Sequence, residues 1–131
     1  MTGPAERARH EIFRAFAVTG APPPVNDADA VASLAAQRIL VTEPGTAEIL
    51  MAPPFASHRS GATEVRSGVR RWWSPCAWCG LGVVAALGLH DAVLRTDGIE
   101  IPVRTGTVVD HGLLLHVAVP AAAWWEDMAF T

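Results

Sequence analysis

The stretch CAWCGLGVVAALGL, from Cys76 to Leu89, constrains the fold more than any other part of the chain. It carries no charged side chain, and a helix that is apolar on every side has to be buried rather than laid on a surface. Ser74 suits an N-cap and Pro75 the first helical position, while Gly88 falls where such a helix would end. Strands follow it. AVLRT and IEIPVRT flank the turn Asp97-Gly98, and GLLLHVAVP comes after them. Residues 120–131 predict the start of another helix.

The first half of the chain has a different texture. Residues 5–17 place Ile12, Phe13, Phe16 and Ala17 at helical spacing. Pro22-Pro23-Pro24 stops that helix, and Asn26 or Asp27 can cap a second one running to about Arg38. ILVT and AEILMA around Glu43-Pro44-Gly45-Thr46 predict a hairpin. Residues 53–68 read as loop, with one short strand near Thr63–Val65. Helix, helix, hairpin is the order of a small winged-helix unit. The expected fold is α+β: a winged-helix-like unit over residues 1–55, then a mixed or antiparallel sheet over residues 56–131 with the Cys-bearing helix buried against it.

Composition excludes several classes. Half of the residues are hydrophobic and 18% are charged, enough apolar material for a core and too much for a disordered chain. Ten basic residues, all Arg, face 13 acids, which argues against a generic polyanion binder. Residues 1–60 carry five Arg against six acids, and the second helix has one Arg against two Asp, so a DNA reader is not expected. No run of 18 uncharged apolar residues occurs, so no membrane span is expected. Residues 1–14 alternate charged and apolar side chains, unlike a signal peptide. Two cysteines make no disulfide scaffold, and a reducing cytoplasm is the expected location.

Those two cysteines carry the chemistry. Cys76 and Cys79 stand three residues apart at the start of the apolar helix, on one face of it. A helix N-terminus favours anions, so one thiolate is expected to be stabilised there, with Cys76 the nearer to that end. Such a pair can bind a soft metal ion, cycle between thiols and disulfide, or attack a soft electrophile. It can also simply fill space, since free Cys is among the most buried residue types. Five Trp and no Tyr stand out, and Trp72, Trp73 and Trp78 surround the pair in sequence as candidate walls of an apolar pocket.

The string Ala77-Trp78-Cys79-Gly80-Leu81 resembles the A-W-C-A-L segment of the organomercurial (alkylmercury) lyases. ILMAPPF at 49–55, Trp72-Trp73 before the Cys helix, and VPAAAWWEDMAFT at 119–131 resemble further family segments, the last a V-P-x-x-x-W-W-D-D-x-x-F-T stretch. The likeness is good over roughly residues 35–131 and looser before them. It implies protonolysis of a carbon–mercury bond: a first Cys binds mercury, a second joins it, and an Asp three residues after the first protonates the leaving carbon. The first Cys corresponds to Cys79. The Asp position falls on Gly82, which cannot donate a proton, and the second Cys would follow Thr131. Cys76 is the candidate auxiliary thiol, and Glu64, Asp91, Asp97, Glu126 and Asp127 are candidate substitutes for the acid.

The resemblance therefore implies a divergent lyase-like protein whose carbon–mercury cleavage is weak or lost and whose thiols, Cys76 and Cys79, still bind Hg(II) or another thiophile. No resident cofactor is implied; Hg(II) or an organomercurial is ligand or substrate. The alternatives are a non-catalytic soft-metal binder or accessory protein, and a thiol-sensing transcription regulator. His90, His111 and His116 are read as structural. The expected partner is a small thiophilic ligand, and a homodimer is a possible way to cover sheet edges.

Overall fold

The computed structural model describes residues 2–109, 112–114 and 121–126. Helix α1 (Pro4–Thr19) opens with Pro at the position where a missing N–H costs nothing and closes at Gly20, whose N–H reaches the Phe16 carbonyl at 2.9 Å. Helix α2 (Ala28–Ala36) is capped by Asp27. Strands β1 (Val41–Thr42) and β2 (Ile49–Ala52) form the expected hairpin, and β3 (Phe55–Ala56) returns beside β2. Strands β4 (Thr63–Ser67) and β5 (Arg70–Ser74) precede α3 (Ala77–Leu87). Strands β6 (Ala92–Thr96), β7 (Ile99–Arg104) and β8 (Thr107–Val108) follow, and a 3-10 turn spans Ala121–Glu126.

All eight strands join one sheet in the order β1-β2-β3-β5-β4-β6-β7-β8, and every pairing is antiparallel. With three helices beside it, the class is α+β, and the sheet is antiparallel rather than mixed among the described residues. No helix among them is long and apolar enough to cross a membrane. Of the strand expected at 112–120, residues 112–114 are described and are not strand; of the helix expected at 120–131, residues 121–126 are described and form the 3-10 turn; the rest of both lies outside the described residues.

Residues 53–68 hold more order than their composition predicts. β4 lies at the centre of the sheet, paired over five residues to β5 and over four to β6. The sequence TEVRS hides it because its two faces see different surroundings. Thr63 and Val65 point to the helices and are fully buried, while Glu64 and Arg66 point to the opposite face.

That alternation sorts the whole sheet. On the covered face, Trp72 is 1% exposed and its indole N–H donates to the Ala17 carbonyl at 3.0 Å, tying β5 to the end of α1. Two residues on, and so on the same face, Ser74 lies beneath α3. Helix α3 approaches this face closely at Gly80: a Cβ there would stand 2.9 Å from Leu94 Cδ2 and 3.1 Å from Thr63 Cγ2. Val83 and Val84 continue the buried side of α3. Phe16 of α1 stacks on Phe55 of β3 with ring centroids 5.6 Å apart, so α1, α3 and the sheet share one core. On the open face, Glu64 pairs with Arg66 at 2.7 Å and with Arg71 at 3.7 Å, and Arg95 pairs with Glu100 at 2.8 Å.

Candidate thiol site

The helix begins later than the sequence suggests. Ser74 is not its N-cap, because the register Thr63↔Ser74 holds Ser74 in β5. Its hydroxyl donates instead to the Cys76 carbonyl at 3.1 Å. Pro75 stays outside the helix, and Cys76 itself is the N-cap, in an extended conformation (φ −155°, ψ 175°). Ala77, Trp78 and Cys79 are then the first three helical residues. An N-cap side chain ordinarily reaches back toward the N–H groups of the second and third of these.

Cys76 does this with sulfur. It forms no capping hydrogen bond of ordinary geometry. Nevertheless its thiol is pulled down from 9.0 to about 6, chiefly by the Cys79 thiol, with the N–H groups of Cys79 and Trp78 helping and partial burial opposing. The reciprocal effect and burial drive Cys79 up from its ordinary value. Cys76 is thus the more acidic thiol of the pair and Cys79 the less acidic. Both are free and half-buried.

Cys76 opens onto a groove of about 540 Å³ between the start of α3 and the β6–β7 and β8 end of the sheet. Trp78, Leu81, Ile99 and Ile101 give it apolar walls, and Leu113 and Leu114 close one side. Among the described residues Asp97 is the one carboxylate that lines it. It is carried there by the Asp97-Gly98 turn, where both residues have positive φ (49° and 74°), the backbone of a tight two-residue hairpin.

The three tryptophans do not gather. Trp78, 60% exposed, lines the groove. Trp72 is core under α1. Trp73 points to the open face, edge-on to His58 at 4.9 Å and beneath Arg71. Gly82 is not among the groove's lining residues either: a Cβ there would meet Pro54 Cβ at 3.2 Å. Of the candidate acids, Glu64 is held by Arg66 and Arg71 on the open face, and Asp91 accepts from the Thr105 N–H at 3.2 Å. Glu126 is exposed in the 3-10 turn, and Asp127 lies outside the described residues. His90 is exposed and its carbonyl accepts from Gly106 at 2.7 Å; His111 and His116 lie outside the described residues. Among the described residues no three His, Cys, Asp or Glu side chains converge as a metal-binding group. Of the candidate acids among the described residues, Asp97 is the one that lines the same groove as Cys76. The Asp-Gly turn marked its hairpin, but only the packing of α3 beside the sheet puts that turn on the groove.

No protein-family model matches this chain, and no curated protein or solved structure matches it either.

Proposed function

We propose that the chain captures soft electrophiles, organomercurials and Hg(II) foremost, through Cys76 and Cys79. The observation that carries this reading is one juxtaposition: two free thiols three residues apart at the start of α3, with Cys76 lining an apolar groove that Asp97 also lines. Cys76, not Cys79, is the attacking sulfur in this reading. The resemblance to the organomercurial lyases, with its winged-helix-like start over residues 1–55, remains part of the proposal.

The chemistry follows from the protonation states. The Cys76 thiolate displaces a halide or hydroxide from R–Hg–X, forming a mercury–sulfur bond. Cys79 then binds as its proton leaves, and the second sulfur raises electron density on mercury and weakens the bond to carbon. Cleavage needs a proton at carbon. Asp97 is the groove carboxylate suited to take the proton released by Cys79 and deliver it to the leaving carbon. Trp78, Ile99 and Ile101 shelter the organic group. Asp97 is exposed at a turn rather than packed against the thiols, so cleavage is expected to be slow and capture fast.

The test is incubation of the reduced protein with phenylmercury under a competing monothiol. One mercury retained per chain, with slow benzene release that Asp97→Asn abolishes and Cys76→Ser prevents, is the expected result. Equal mercury retention by wild type and the Cys76→Ser, Cys79→Ser double variant overturns the reading.

A further inference from the structure

We infer that Cys76 and Cys79 also form a reversible intramolecular disulfide, giving the chain a dithiol–disulfide exchange activity toward small disulfides with Cys76 attacking and Cys79 resolving. The inference uses the same two sulfurs as the mercury reading but does not depend on it.

The placement of the pair carries it. Cys76 is the N-cap, with extended backbone, and Cys79 the third helical residue, so both side chains leave the same end of α3. Cα atoms three residues apart at a helix start are about 5 Å apart, inside the roughly 4.4–6.8 Å that disulfides span. The bond therefore closes without unwinding α3, whose Gly80 N–H already bonds the Cys76 carbonyl at 2.9 Å. Access is asymmetric. Cys76 lines the open groove and Cys79 does not, so an incoming disulfide meets Cys76 first. With two cysteines in the chain, no other intrachain pairing competes.

The step balances with a small disulfide, RSSR, as oxidant. The Cys76 thiolate attacks one sulfur, an S–S bond forms, and RS⁻ leaves and takes a proton from water. Cys79 gives its proton to water and attacks the Cys76 sulfur, forming the intramolecular bond and expelling the second RS⁻, which is protonated in turn. Two protein thiols are oxidised by two electrons, and RSSR is reduced to two RSH. In the disulfide form neither sulfur can bind mercury, so capture by this pair would be confined to the reduced chain.

The experiment equilibrates the full chain with reduced and oxidised glutathione over a range of ratios, quenches with acid, labels remaining thiols and counts labels by mass. Wild type is expected to pass from two labels to none, without a glutathione adduct. Cys79→Ser and Cys79→Ala should stop at one glutathione on Cys76, and Cys76→Ser should form its adduct at least tenfold more slowly. Wild type that keeps two labels across the oxidising range overturns the inference. So does wild type that accumulates only the mixed disulfide, or that is attacked first at Cys79. Because mercury retention is read separately on reduced protein, failure here and failure of the mercury reading are distinguishable.

Discussion

Helices α2 and α3 begin in the same backbone conformation and with opposite chemistry. Asp27 and Cys76 are both N-caps with extended backbone. Asp27 Oδ1 accepts from the Ala30 N–H at 2.9 Å, which satisfies one of the donors a helix start leaves free. At α3 the hydroxyl that sequence reasoning assigned to this task, Ser74, turns to the Cys76 carbonyl instead, and a sulfur stands at the cap. An oxygen cap is typically worth ~1 kcal/mol. The chain takes that stabilisation at α2 and forgoes it at α3, and the helix dipole and free N–H groups act there on a thiol. A helix start optimised for stability and one left open for a nucleophile thus sit in one small fold.

The sharpest break of this comparison is removal of the sulfur at the α3 cap. Cys76→Ser is expected to lower the alkylation rate of the native protein at pH 6 by roughly 10²-fold, because thiolate fraction dominates even after the lower intrinsic nucleophilicity of an acidic thiol is allowed for. Cys79→Ser is expected to leave a fast-reacting thiol. Iodoacetamide kinetics on folded protein measure both. If the two single variants react alike, Cys76 is not the privileged sulfur.

A smaller effect tests the cause. The Cys79 thiol is the largest contributor to the lowered Cys76 value, ahead of the backbone N–H groups. The alkylation rate of wild type should rise through a midpoint near pH 6, and in Cys79→Ala the midpoint should move up by at least about one pH unit. A midpoint that stays in place assigns the effect to the helix start alone.

What the sequence disclosed about these two ends was uneven. The cap of α2 was legible because Asp27 precedes a periodic apolar pattern and nothing else claims its carboxylate. The cap of α3 was misread at Ser74, because Ser and Pro have the right local preferences and only the pairing of Ser74 with Thr63 across the sheet overrides them. The thiol pair was visible from spacing alone; that Cys76 stands at the cap and lines a groove which Cys79 does not was not. The groove was not: Trp72, Trp73 and Trp78 are neighbours in sequence, but strand alternation sends the first two to opposite faces while Trp78 sits on a helix. Asp97 stood out only as a turn residue, since no local pattern tells which edge of a sheet a helix will start beside.

The ordinary cap has a predictable cost when lost. Asp27→Ala is expected to destabilise the chain by ~1 kcal/mol, read from chemical denaturation at pH 7, with no effect on thiol reactivity. A change under ~0.3 kcal/mol would mean that solvent caps α2 as well as the carboxylate does, and the contrast with α3 would lose its stability side.

The smallest effect is also the most discriminating, because it changes sign. Cys76 has its value lowered on folding from 9.0 to about 6. Its charge therefore contributes stability that is present in full above about 9 and is lost as pH falls through about 6. Cys79, raised instead, stays neutral across pH 5 to 8 and does not obscure the comparison. At pH 5 the wild-type cap is a neutral thiol, a weak acceptor, and Cys76→Ser should be more stable by ~0.5 kcal/mol through its oxygen. At pH 8 the wild-type cap is a thiolate at the positive end of a helix, an arrangement worth ~0.3–1 kcal/mol. The advantage of Ser should then vanish or reverse. Paired denaturation curves at the two pH values give the difference, and groups remote from Cys76 cancel; the same pair of curves in a Cys79→Ala background removes the change at Cys79. A Ser variant equally more stable at both would show that folding does not lower the Cys76 thiol, and the contrast between the two helix starts would then be one of cap strength alone.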